Sequence, residues 1–247
     1  MPPQTRRDRL RAQMAEEIKA AARRIVEEEG VDALTLAEVA RRVEVTPAAL
    51  YRHYDDLSAI TWHLARDLVD EIVQAQRTAV SSELADDIAG RLLAATRAFR
   101  AWCIGHRTCF HLLFGTPTAA AGPAHADVTG LWVRRLAEVW GELFVHLWAV
   151  RPFPILPDEK IAPGLRDQLD QYRSAVGVDL PLGTLVVFLG CWRQIYGAVA
   201  LEVFDHFAPT ITDHEPMFEL MIAELFTKLG LEKEYRPPAG TDFPLPS

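Results

Sequence analysis

Apolar residues recur at spacings of three and four along almost the whole chain, the period of amphipathic helices. Met14, Ile18, Ala21, Ala22, Ile25 and Val26 form one stripe. They predict a helix over 9–29, with Gly30 standing where a left-handed C′ residue closes a helix. Thr35-Leu-Ala-Glu38 has the form of a capping box, in which a hydroxyl accepts from a first-turn amide and a carboxylate reaches back. A second helix over 36–43 follows. Thr46-Pro47 pairs an N-cap with proline at the first helical position and predicts a third helix over 47–53. Asp56 is placed to cap a long fourth helix over 57–81. Period-two alternation between Asn-Gly turns, the mark of hairpins, is almost absent.

Further helices are predicted over 84–106, 107–114, 127–150, 164–176, 181–207 and 214–229, with proline-rich loops over 116–124 and 151–163. The 181–207 segment is apolar on more than one face (Leu182, Leu185, Val186, Val187, Phe188, Leu189, Ile195, Val199, Leu201, Val203). A surface helix needs only one apolar stripe, so this one is expected to be buried on several sides, within one subunit or between two. Met217, Phe218, Met221, Ile222, Leu225 and Phe226 give the 214–229 helix the same character. The class is therefore all-α: a three-helix front (1–60), a larger helical bundle (61–235) and a mobile tail (236–247).

Composition narrows the function. Apolar residues are 49% of the 247 and charged residues 24%, enough for a packed core and unlike disorder. The longest apolar run, 180–192, ends at Arg193 and reads as too short for a membrane span. No apolar segment follows the basic start, so no secretion signal is expected. Three cysteines make no disulfide framework, and a cytoplasmic protein without cofactor is the expectation. Net charge is −8, yet residues 1–62 hold 10 Lys/Arg and 11 Asp/Glu, so most of the excess lies behind them. Four arginines (Arg6, Arg7, Arg9, Arg11) crowd the start, and 19 of 22 aromatic residues follow residue 62. A near-neutral front with a basic tip thus precedes an acidic, aromatic-rich body. Where charge stands, rather than its sum, decides nucleic-acid binding.

Two short capped helices a few residues apart are the make-up of a helix-turn-helix, whose second helix enters the major groove. In TPAALYRHY, Ala48 and Ala49 leave room for close approach, and Pro47 or Ala49 is suited to a thymine methyl. Thr46, Tyr51, Arg52 and His53 carry donors for phosphates or bases, while Leu50 faces the small core. The run LTLAEVARRVEVTPAALYRHYDDLSAI after Gly30, with Leu50-Tyr51-Arg52-His53-Tyr54 at its centre, closely resembles the N-terminal domain of the tetracycline-repressor (TetR) family of bacterial transcription regulators. More weakly, Trp192-Arg-Gln-Ile-Tyr196-Gly197 followed by Leu201-Glu202-Val-Phe204 resembles a segment of one subgroup's ligand-binding domain.

The resemblance implies an all-α homodimer on a palindromic double-stranded operator, released by a small molecule bound in the body. The family's phosphate contacts correspond to Thr35 and Thr46, its base-facing positions to Ala48 and Ala49, and its backbone or base-edge contacts to Tyr51 and His53. The last two long helices correspond to its dimer interface. Leu57, after Asp55 and Asp56, stands where the family often has Lys. Arg6, Arg7 and their neighbours are expected to make up the missing charge, as an arm reaching a minor groove.

Trp132, Trp140 and Phe144 on one helix, with Trp102, Phe110, Phe114, Trp192 and Tyr196 on others, are candidates for lining a mainly apolar pocket. His106 and His111 are candidate polar partners there. The plain alternative is a solid core, and with it a ligand-independent DNA-binding or scaffold protein. Cys103 and Cys109, near His106 and Arg107, read as buried small side chains ahead of redox sensors. Glu202 and His206, four apart and one face of a helix, offer a metal-dependent enzyme as a further alternative. HExxH, cysteine zinc spacings, G-x-S-x-G, a Walker loop and a Rossmann fingerprint are all absent, so no catalytic or metal residue is expected.

Overall fold

Thr5 and Asp8 start the first helix ahead of its apolar stripe. Thr5 Oγ1 accepts from the Asp8 amide at 3.2 Å, and the Asp8 carboxylate accepts from the Thr5 amide at 3.2 Å. This reciprocal cap begins α1 at Arg6 (Arg6–Glu29). The arginine tip is therefore helix, which corrects the expectation of an arm. The computed structural model describes residues 5–115 and 124–238. The predicted loop 116–124 falls almost wholly outside them.

Two units divide the chain: Met1–Glu71 with Gly105–Arg135, and Ile72–Ile104 with Leu136–Ser247. Among the described residues no strand occurs. In the first unit, α1 buries Ile18, Ala21, Ala22, Ile25 and Val26 against α2 (Leu36–Arg42), a 3-10 turn (Val31–Ala33) and α6 (Arg107–Phe114). Between α2 and α3 (Pro47–Leu50) the chain turns through Glu44, whose φ is 56°. Val45 N–H bonds the Ala40 carbonyl at 3.0 Å and Glu44 N–H the Arg41 carbonyl at 3.3 Å. That is a Schellman closure with glutamate at the position glycine usually fills. The third helix is shorter than its sequence predicts, because residues 51–53 continue as turn. Helix α4 (Leu57–Ser81) matches its predicted span, and Asp56 Oδ1 caps it from the Ala59 amide at 2.8 Å.

The second unit continues α4 from Ile72 and adds α5 (Ile88–Gly105), the later part of α7 (Ala124–Val150), α8 (Pro163–Val176), α9 (Leu182–Val203) and α10 (Glu215–Lys228). Asp87 sets the start of α5 by accepting the Gly90 amide at 2.8 Å, so the helix begins four residues after the predicted 84. Helix α9 stops at Val203 rather than 207. Asp205 takes φ 56°, and the His206 amide returns to the Leu201 carbonyl at 2.9 Å. By length and composition α9 could cross a membrane, with a third of its most apolar stretch buried. Arg193 therefore does not interrupt it as the sequence reading held. In this fold α9 packs against α8 and α10.

Residues 151–161 cover the start of α9 so closely that a Cβ on Gly183 would overlap the Leu156 carbonyl oxygen. Below them Ile161, Leu169, Leu180, Leu182 and Leu185 form a small core, with Trp148 and Tyr172 against it.

Candidate nucleic-acid interface

Only Leu50 of α3 is buried, at 1% exposure. Thr46, Pro47 and Ala48 are exposed and Ala49 is half-buried. The Thr46 hydroxyl makes no cap hydrogen bond, unlike the sequence expectation. Thr35 does cap, accepting the Glu38 amide at 3.2 Å, and its side chain remains exposed. Tyr51 is 55% exposed and Arg52 is exposed beside it. His53 is half-buried, with Nδ1 enclosed and unpartnered. Tyr54 is the anchor: it is buried, donates to the Ala15 carbonyl at 3.4 Å and meets His63 edge-on at 5.5 Å. The predicted DNA-facing residues Thr35, Thr46, Pro47, Ala48, Tyr51 and Arg52 thus all present exposed surface.

Both cations of α2, Arg41 and Arg42, are engaged in ion pairs. Glu38 does not reach back to close a capping box, because its carboxylate accepts from Arg41 at 2.8 and 2.5 Å and from Arg42 at 3.0 Å. Arg41, then Arg42, hold that carboxyl at a pKa of about 2. Arg42 also pairs with Glu28 and Glu29. Lys19 and Arg23 of α1 are spent on Asp67 and Glu71 of α4. By contrast, among the described residues Arg6, Arg7, Arg9 and Arg52 have no ion-pair partner. Three of these arginines stand in the first turns of α1 with Asp8 among them, and Arg52 stands at the end of the recognition element shortly before Asp55 and Asp56.

In the second unit Trp140 is buried against Phe99 and Trp192, at ring separations of 5.3 and 5.4 Å, and Tyr196 lies 5.7 Å from Trp192. The Trp140 indole N–H donates to Thr96 Oγ1 at 3.2 Å. Phe144 packs between Phe153 and Phe188, and Trp102 is buried on α5. His106, Phe110, His111 and Phe114 belong to the first unit, where the tilted rings of Phe110 and Phe114 lie 4.6 Å apart. Trp132 lies outside the described side chains.

The Glu202–His206 pair does not form. Both Glu202 oxygens accept from Arg100 at 2.8 Å, and the turn at Asp205 takes His206 off the helix face to stack on Phe204. Among the described residues no cluster of metal ligands is present. Burial pushes the Cys109 thiol up to about 11 and raises the Cys103 thiol well above its ordinary value, away from the reactive thiolate.

Arg97, Arg100, Glu219 and Tyr235 were not singled out from sequence as a group. Arg97 forks onto Glu219 at 2.9 and 2.7 Å, and Tyr235 donates to the same carboxylate at 2.8 Å. The available signal was acids inside apolar runs, which demand buried partners.

Known proteins bear on this geometry directly. Residues 18–57 match the family described as bacterial regulatory proteins, tetR family. Residues 92–225, more than half the chain, match the tetracyclin repressor-like C-terminal domain. The chain belongs to the TetR family. HTH-type transcriptional regulators Mb1846 of Mycobacterium bovis and Rv1816 of Mycobacterium tuberculosis are each 25% identical over 221 residues, covering 87% of this chain and 91% of theirs. A solved structure, the regulatory protein SCO4313, superposes with TM-score 0.69 at 25% identity, over 90% of this chain and all of the other. A protein of unknown function from Rhodococcus sp. RHA1 shares the fold, with TM-score 0.55 at 19% identity over 88% and 94% of the two chains.

As a TetR-family chain, this one is a DNA-binding transcription regulator with a helix-turn-helix. Its Leu57 is half-buried at the first position of α4, where the family resemblance led us to expect Lys. Asp56 is engaged as that helix's cap, so one of the two carboxylates beside the recognition element has a structural partner.

Proposed function

We propose that the protein is a homodimeric repressor that binds a palindromic operator and is released from it by a small, mainly apolar ligand. It acts in the cytoplasm as a regulator, not a catalyst. The observation that carries the DNA half of this reading is the recognition element itself. One buried leucine anchors it, while Thr46–Ala48, Tyr51 and Arg52 are exposed beside unpaired arginines. Thr35, Thr46, Tyr51, Arg52 and His53 would contact backbone and base edges, Pro47, Ala48 and Ala49 the bases, and Arg6 and Arg7 phosphates. The dimer half is supported by α9, which is apolar on several faces but buried over only a third of its most apolar stretch. A second copy meeting α9 and α10 would cover the remainder, and two-fold symmetry suits half-sites about 34–36 Å apart.

One observation favours a second reading, a ligand-independent regulator with a solid body. Trp140 is wedged between Phe99 and Trp192 with its indole N–H satisfied, which is how a core residue packs. A tryptophan-quenching screen with apolar compounds separates the two, since a solid core gives no saturable response. The DNA reading is tested by selecting sites from a random duplex library at about 0.15 M salt, where charge-only binding is weakened. A palindrome recovered with wild type and lost with Tyr51→Ala is the expected result. Failure of a folded dimer to enrich any motif would overturn it.

A further inference from the structure

Arg7, Arg11 and Ala15 stand one turn apart on the same face of α1, as residues four apart do. Two of the three already meet the recognition element. The Ala15 carbonyl accepts from Tyr54 at 3.4 Å, and one turn earlier Arg11 Nη2 donates to the Arg52 carbonyl at 3.3 Å. Arg11 and Arg7 also continue the stripe of Ile18, the first buried residue of α1, at spacings of seven and eleven. From Gln13 back to Arg6 the helix runs eight residues, about 12 Å, all of them exposed. A helix that projects this far is not held there by a core. It is fixed at its start by the Thr5–Asp8 cap and pinned along its length to the end of the recognition turn by Arg11. The next position along that face is Arg7, exposed and, among the described residues, without an ion-pair partner.

We propose that the α1 projection is a rigid clamp on the DNA backbone just outside the base pairs met by α3, with Arg7 as its phosphate contact and Arg11 as the positioning residue that sets its angle. This deepens, and rests on, the DNA-binding reading above. The charge balance favours it. The arginines of α2 are neutralised by Glu38, Glu28 and Glu29, and Asp55 and Asp56 set two carboxylates beside the recognition turn. The backbone attraction that those groups fail to supply is available from α1. The helical state makes the proposal face-specific: at about 100° per residue, Arg9 points away from Arg7 by about 160°, so two arginines of equal charge and exposure have different roles.

The experiment measures the salt dependence of binding to the selected operator, once with long flanks and once trimmed to the edges of the site. Wild type, Arg7→Gln and Arg9→Gln are compared as folded dimers. Each lost phosphate contact lowers the slope of log K against log salt by about 0.9, so two copies of Arg7→Gln lower it by about two. Arg9→Gln should stay near wild type, and on the trimmed duplex Arg7→Gln and wild type should converge. An equal loss for both variants would mean that diffuse charge, not the α1 face, is at work, and it would overturn the proposal. So would an unchanged slope for Arg7→Gln. If instead wild type enriches no site at all, the DNA reading itself has failed and takes the clamp with it. Arg11→Lys, which keeps a donor for the Arg52 carbonyl, should retain the slope that Arg11→Gln loses.

Discussion

Arg100 and Glu202 face each other across α5 and α9 through two parallel 2.8 Å bonds, with the guanidinium also lying 5.0 Å over the Phe218 ring of α10. Three residues earlier on α5, Arg97 makes the same fork with Glu219 of α10. One helix therefore fastens both members of the α9–α10 pair, each through a carboxylate that is all but buried. Removing one partner leaves a buried charge uncompensated, at a cost of about 3–5 kcal/mol. Arg100→Met should lower unfolding free energy by that amount, and adding Glu202→Leu should recover most of it. A double variant as unstable as the single one would show that the pair contributes more than mutual neutralisation. Urea unfolding of all three chains decides it.

Glu44 closes α2 with φ at 56°, a conformation that costs a side-chain-bearing residue about 1–2 kcal/mol. Glu44→Gly should raise stability by about 1 kcal/mol, against the usual penalty for glycine. Thermal unfolding measures this. A fall would mean that the glutamate side chain makes up for its backbone.

Gly183 and Gly141 should answer the same substitution in opposite ways. A methyl at Gly183 would strike the Leu156 carbonyl, whereas at Gly141 it meets open space. Gly183→Ala should destabilise by about 1–3 kcal/mol, and Gly141→Ala, inside α7, should stabilise by about 0.5–1 kcal/mol. Equal effects in denaturant midpoints would refute the close approach of residues 151–161 to α9.

Acid should weaken the first unit through Glu38. Its carboxyl is lowered from 4.5 to about 2 by Arg41 and Arg42, so the unfolded chain binds its proton more readily. The stability it contributes is complete above about pH 4.5 and is lost as pH falls toward 2. Wild type should therefore exceed Glu38→Gln in urea midpoint at about pH 6, and the gap should close as pH nears 2. A gap independent of pH would show that the ionised carboxylate is not what matters.

Much of the fold was legible in local signals. The pairing of Asp56 with a 25-residue α4, and Pro47 at the first position of α3, follow from cap chemistry that acts within one turn. The recognition element was legible for the same reason: its exposed residues are set by short spacings around Leu50. What local pattern could not supply was partner choice over distance. Glu38 had the spacing for a capping box, but two arginines compete for its carboxylate. Glu202 and His206 had helical spacing, but a left-handed aspartate ends the helix between them. No apolar stripe reaches the tip arginines, so the pattern predicts an arm there, but the Thr5–Asp8 cap starts a helix without one.

The sequence reading placed residue 236 in a free tail, yet Arg236 bonds Asp87 at 2.6 Å and gives its carbonyl to Arg97 at 2.6 Å, just after Tyr235 reaches Glu219. These contacts work as a latch drawn across α5 and α10 by Tyr235 and Arg236. A chain cut back to Glu234 would lose the latch and strip a donor from a buried carboxylate. The latch joins Asp87 to a residue 149 positions later in the chain, so during synthesis α5 is secured only after the segment through Arg236 has been made.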